Sequence, residues 1–314
     1  MARDLSIGLG HGVLAGGLYR RRPGTTARRR ASSRVWTNPR VALGLAIVSV
    51  MVLVVALAPV LAPHSPRTQV LAERLQAPVW GEGGTWDHPL GTDHLGRDVL
   101  SRVIYGLRIS MLVGGLAVLL SGLIGVTLGL LSGYFGGWVD DVLMRVCDVQ
   151  LSIPLVLLAI AVIAVVGSSL PTLVAVLGFT QWVMYGRVVR GEVLSLREKE
   201  FVEAARAVGC RDARIIRTCI LPNAMPTILV TATLRTATVI MIEAGLSYLG
   251  LGIQPPDPSL GSMLSEGQQY MGIAWWLGTF PGLAIVLIVL GINLLGDGLR
   301  DALDPRSRRG TRGA

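Results

Sequence analysis

The chain has 314 residues, 51% of them hydrophobic and only 16% charged, with a mean hydropathy of +0.57. Soluble domains carry about 25% charged residues, so this chain lacks the polar surface to cover itself in water. The net charge is +9, and 28 of the 29 basic residues are arginine, Lys199 being the exception. Cys147, Cys210 and Cys219 have neither metal-ligand spacing nor the frame of a small disulfide scaffold.

Residues 1–36 form an Arg-rich tail, "YRRRPGTTARRRASSR", expected to be disordered and held near anionic lipid headgroups rather than nucleic acid. A membrane domain is expected over 37–306, followed by a short tail, 307–314. A spanning helix needs roughly 20 mostly apolar residues, and six runs qualify: about 41–62, 107–132, 139–166, 170–190, 226–250 and 276–299. Asn38-Pro39 opens the first as a cap followed by proline. That run is longer than a signal peptide's apolar core and is expected to be a retained span, although Ala56-Leu57-Ala58 resembles a cleavage site. Pro154, Pro171, Pro226 and Pro281 lie near or inside span ends, where neighbouring helices satisfy the freed backbone groups.

The second run carries Gly125, Gly129 and Gly133 at four-residue spacing, with Gly122 nearby. Such a face lets helix backbones approach closely in lipid, within this chain or against a partner. Segments 1–40, 187–217 and 300–314 hold 22 of the 29 basic residues, and 236–299 holds none. The positive-inside rule places both termini and the loop 191–225 in the cytoplasm, with 63–106, 167–169 and 251–275 outside. The expectation is an all-α, six-span plasma-membrane protein.

The loop contains "EFVEAARAVGCRDARIIRTCILPNAMP" (200–226). Phe201, Ala204, Ala205 and Val208 share one helical face, and Gly209 is free to take the positive φ that ends a helix. A second piece starts at Asp212, a plausible N-cap, with Ile215, Ile216, Cys219 and Ile220 on one stripe. Pro222 and Pro226 are expected to close it and restart the chain as the fifth span. Patterning alone leaves two roles open: a helix-turn-helix shaped to be gripped by a partner, or an amphipathic connector lying on lipid headgroups.

Glu203-Ala204-Ala205, three residues, Gly209, nine residues, then Cys219-x-Leu221-Pro222 resembles the EAA signature of bacterial ABC importer permeases, with cysteine where the consensus has isoleucine. The segments 88–111, 133–154, 243–267 and 280–306 are similar to the C-type subunit of the dipeptide, oligopeptide and nickel branch. This resemblance implies a type I importer permease in a bacterial plasma membrane. Its implied partners are a sister permease, two ATP-binding subunits or one fused one, an external solute-binding protein and a peptide substrate. ATP and Mg would sit on the partner subunits, with no cofactor on this chain. Glu203, Ala204, Ala205, Gly209, Leu221 and Pro222 become the ATPase-coupling residues. Nickel or another small ligand is the alternative cargo.

Several features are decoys. "LSEGQ" (264–268) resembles an ATPase signature, but Lys199 precedes Glu200 and forms no Walker A motif, so no ATP hydrolysis is expected of this chain. His88, Asp93 and His94 suggest a metal cluster without a convergent further ligand; a turn set by Pro89, Gly91 and Gly96 is expected instead, with no metal. Asp148 and Glu243 lie in apolar runs and are candidate pore or gate residues. For Glu243 an interhelical hydrogen bond is expected ahead of a proton relay, the latter being the mark of a secondary transporter. Asp297, Arg300, Asp301 and Asp304 form a charged helix end.

Overall fold

A computed structural model describes residues 39–303. The tails 1–36 and 307–314, together with Asp304, lie outside the described residues. Within them the chain is helical, with one isolated bridge between Thr92 and Asp98. In chain order the helices are α1 (Pro39–Ala56), α2 (Ala58–Leu61), α3 (Val99–Phe135), α4 (Gly137–Ser152), α5 (Leu155–Val166) and α6 (Leu170–Arg197). There follow α7 (Glu200–Ala207), α8 (Asp212–Ile215), α9 (Leu221–Tyr248), α10 (Leu260–Gln268) and α11 (Trp276–Leu303). Five helical segments are each long and apolar enough to cross a membrane, and α4 with α5 makes a sixth crossing bent by 83°.

The directions of the crossings follow from contacts at their ends. At one face, called basal here, Arg197 Nη1 donates to Gly133 O at 3.2 Å, so α3 and α6 finish side by side. At the opposite, apical face Ser168 Oγ donates to Leu251 O at 3.2 Å, so α6 starts where α9 has just ended. Helices α3 and α6 therefore run in the same sense, and α4–α5 must return between them. Val41 meets Gly298, which puts the start of α1 beside the end of α11. Both ends of the described chain thus share the basal face with loop 198–211.

The glycine ladder is the contact between α3 and α6. A β-carbon on Gly125 would lie 2.3 Å from Trp182 O, one on Gly129 2.7 Å from Gly186 O, and one on Gly133 3.0 Å from Arg190 O. The hydrophobic effect does not drive helices together in lipid; close van der Waals packing does. The partner lies within this chain.

Boundaries differ from the sequence expectation at several ends: the first run breaks at Leu57, α9 starts at Leu221 rather than near 226, and α11 runs on to Leu303. Helix α3 starts at Val99 rather than near 107, and at about 1.5 Å per residue its 37 residues outrun a bilayer core. Its first turns carry the charged Arg102, which a hydropathy window rejects but the fold neutralises. Arg97 Nε donates to Asp93 at 2.5 Å, Arg102 also binds Asp93, and both arginines reach Glu266 on α10. Burial alone would raise the Asp93 carboxyl, but Arg102 and Arg97 outweigh it and hold it below the usual value. Helix α6 likewise runs on to Arg197, past 190.

The third crossing is not one run. Ile153 is extended, at φ −95° and ψ 118°, as a residue before proline prefers, and Pro154 cannot donate to the turn behind it. Gln150, just before the break, is tied to α6: its Nε2 donates to Phe179 O at 2.7 Å and its Oε1 accepts from Trp182 Nε1 at 2.7 Å.

Gly125→Ala should destabilise the detergent-solubilised chain by about 1–3 kcal/mol, the usual cost of overpacking. Gly115→Ala, on the same helix with nothing within 4 Å of an added β-carbon, should be neutral or slightly stabilising. Thermal unfolding of the two variants checks this; equal melting would remove the ladder as the α3–α6 contact.

Candidate functional site: a basal helix fixed to three crossing ends

Helix α7 begins after Lys199 and ends at Gly209, whose φ of +78° matches the sequence expectation. Its faces divide cleanly. Val202 is fully buried and Ala205 half-buried, while Phe201, Glu203, Ala204 and Val208 are exposed. The apolar stripe read from sequence is therefore mostly turned outward, because Val202 supplies the inward anchor. Val208 is 78% exposed, which leaves an apolar edge uncovered among the described residues.

The inward side belongs to one apolar cluster. Val202, Ile215 and Ile220 pack with Leu130 and Tyr134 of α3 and with Val189 and Val193 of α6; Ala205, Cys219 and Leu221 lie against them. The stripe Ile215, Ile216, Cys219 and Ile220 thus faces inward, as its spacing predicts.

The second piece is not a separate helix. Residues Ile216–Ile220 form a π turn, with Leu221 N–H donating to Ile216 O, and the chain continues directly into α9. Pro222 does not close the helix. It occupies the first turn of α9, and the wider turn before it relieves the crowding that a proline ring imposes on the carbonyl four residues back. Pro226 is carried inside α9. A continuous helical run over residues 212–248 therefore joins the basal loop to a full crossing.

Asp212 is not the cap; Arg211 holds that position. The Asp212 carboxylate accepts from the Tyr134 hydroxyl at 2.6 Å, and the Arg206 guanidinium lies 5.3 Å from the centre of the Tyr134 ring. Tyr134 thus ties the end of α3 to both halves of the loop. Sequence reasoning missed it, because its partner lies 78 positions away and no local pattern links the two.

The two candidate gate carboxylates do not meet. Glu243, on α9 near the apical face, is fully buried and accepts from Ser110 and Ser247 at 2.7 Å each, and from Ser259 at 3.4 Å. These hydroxyls come from α3, from α9 itself and from the N-cap of α10. The interhelical hydrogen bond expected for Glu243 is present. Asp148 on α4 is exposed and pairs with Arg187 of α6 at 2.5 Å. Beside it, at the break between α4 and α5, a cleft of about 240 Å³ is lined by Gln150, Pro154, Thr180 and Gln181, among others.

Gly209→Val should strain the α7 terminus, because a β-branched residue resists positive φ. An added β-carbon would meet nothing within 4 Å among the described residues, so the damage should stay local. Hydrogen exchange should show lost protection over 200–212 and unchanged protection in α3 and α6. Unchanged protection throughout would mean the position does not require glycine.

Residues 125–309 match the family described as binding-protein-dependent transport system inner membrane component. Residues 26–78 match the N-terminal transmembrane domain of oligopeptide transport permease C. The dipeptide transport system permease protein DppC of Alkalihalophilus pseudofirmus is 42% identical over 280 residues, 89% of this chain and 90% of that protein. The glutathione transport system permease protein GsiD of Pectobacterium atrosepticum is 47% identical over 225 residues, 72% of this chain and 75% of that protein. A solved inward-facing MetNI methionine ABC transporter shares the fold, with a TM-score of 0.54 over 65% of this chain and 97% of its own, at 21% identity. With the basal helix and six crossings in place, the chain belongs to the family of binding-protein-dependent transport system inner membrane components, as a multi-pass permease subunit of the ABC importer type.

Proposed function

We propose that this permease moves di- or oligopeptides into the cell by alternating access, driven by separate ATP-binding subunits that grip α7 at the basal face. The observation that carries the reading is the division of α7: an inward anchor at Val202, and an outward edge of Phe201, Glu203, Ala204 and Val208 that stays exposed among the described residues. In this assignment Glu203, Ala204 and Val208 touch the ATPase. Ala205, Gly209, Leu221 and Pro222 instead shape and anchor the segment. ATP is cytoplasmic, so the basal face and both chain ends are cytoplasmic, in agreement with the arginine distribution. Catalysis, ATP and Mg then belong to the partner chains.

The translocation path is assigned to the face carrying the α4–α5 break. Irregular backbone at membrane depth persists only where it is buried in protein or lines a water-filled cavity. Here it borders the 240 Å³ cleft and its polar lining from Gln150, Thr180 and Gln181. The exposed Asp148–Arg187 pair lies on the same helices. A sister permease would complete this path, and an external binding protein would deliver the peptide and set selectivity. Nickel or another small ligand remains the alternative cargo. The buried Glu243, held by three serine hydroxyls, serves as a structural tie in this reading rather than as a proton relay.

Affinity purification in mild detergent should bring down a sister permease and ATP-binding chains. Glu203→Lys should insert and assemble normally, yet abolish peptide-stimulated ATP hydrolysis, because like-charge contacts in an interface cost several kcal/mol. Uptake of labelled dipeptide should fall with it. Wild-type stimulation and uptake in the Glu203→Lys complex would remove α7 as the ATPase contact. Normal coupling with no peptide uptake, but with uptake of nickel, would reassign the cargo alone.

A further inference from the structure

We infer that the apical surface carries a binding site for one divalent transition-metal ion of the Zn²⁺ class, built from His64, His88 and Asp98, with Glu73 behind His88. One ligand atom from each of the first three lies within 4.8 Å of the others. They come from separate places in the chain: the turn after α2, the 76–98 segment, and the residue that caps α3. This convergence is absent from the sequence pattern, in which His88 has Asp93 and His94 as its obvious neighbours.

The supporting bonds are those a metal site needs. His88 Nδ1 lies 3.0 Å from Asp98 Oδ1, and the other ring nitrogen, Nε2, lies 3.1 Å from Glu73 Oε2. A ligating histidine commonly donates its second N–H to a carboxylate, which fixes the ring and raises its basicity; Glu73 stands in that place. The second oxygen of Asp98 accepts from Ser101 N at 2.7 Å, so this carboxylate is also held. His64 is positioned by its own backbone N–H, which donates to Ser101 Oγ at 3.2 Å, and its ring sits 4.6 Å from that of His88, centre to centre. His88 and Asp98 are buried and His64 is exposed, which leaves an entry from solvent.

Charge separates this cluster from its neighbour. Asp93, His94 and Glu266 are also close together, but Arg97 and Arg102 bind both of those carboxylates and supply the positive charge a metal would bring. The same two arginines are thereby drawn away from Asp98. No arginine pairs with Asp98 or Glu73 among the described residues, so the negative charge of the first cluster is open to a cation, whereas that of the second is already met by arginine. Two imidazoles with carboxylate oxygen suit zinc-class ions, whereas calcium takes six to eight oxygen ligands and magnesium keeps an octahedral oxygen shell. An ion here would clip the turn after the first crossing to the start of the second.

The test titrates Zn²⁺ alone into the full-length chain in detergent, with Cys147, Cys210 and Cys219 replaced by alanine, and reads the bound metal by calorimetry and X-ray absorption. One Zn²⁺ per chain is expected, with two imidazoles among nitrogen and oxygen ligands only. His64→Ala, at an exposed position, should remove binding without changing the metal-free melting temperature. Glu73→Gln should weaken binding by about 10–100-fold, the usual effect of losing a carboxylate behind a ligating histidine. Absence of binding in the parent chain, or full affinity in either variant, would overturn the site.

Discussion

The close packing of α3 against α6 along Gly125, Gly129 and Gly133 is the constraint on which the rest of the molecule depends. In lipid, small residues let two helix backbones approach and pack closely, and each added β-carbon would meet backbone oxygen of α6 at 3.0 Å or less. Because the two helices are parallel, the chain between them must cross back, and that return is the broken pair α4–α5. Their basal ends then stand side by side, presenting Tyr134 on one and Val189 and Val193 on the other as a seat for Val202, Ile215 and Ile220.

The basal loop inherits its rigidity from that seat. An amphipathic segment of eight residues such as α7 is too short to be stable alone; here its inward face belongs to the same apolar cluster as two crossings. The π turn before Pro222 keeps the helix continuous through a position where the proline would otherwise break it. A push on the exposed edge of α7 is therefore delivered to α3, α6 and α9 together. A ligand moves an equilibrium only through its different affinity for the two states, so in the function proposed above ATP would act on the crossings only to the extent that the gripped and released forms of the partner hold α7 differently.

The crossings, the glycine ladder and the end of α7 at Gly209 were legible in the sequence because each rests on local chemistry: apolar run length, small-residue spacing and a positive φ. Elements set by distant partners were not. The start of α3 was masked by Arg102, a charge that only Asp93 and Glu266 make tolerable. Asp212 has the residue type of a cap, yet its acceptor is used by Tyr134 across the fold. Pro154 signalled a break without its angle, which depends on how Gln150 is held by α6. The assembly of His64 beside His88 has no local signature, since it needs the first turn after one crossing to fold back onto the cap of the next.

The central claim, that α7 moves as one body with the basal ends of the crossings, is tested most directly by a distance measured in the assembled transporter. Spin labels at positions 138 and 200, both exposed and outside the assigned ATPase contact, would be placed in a chain whose native cysteines are replaced. Pulsed electron resonance should return a single narrow distance, the same without nucleotide and with ATP trapped on the partner subunits. A distribution that broadens or shifts when ATP binds would show that α7 moves independently, and the rigid-body account would fail.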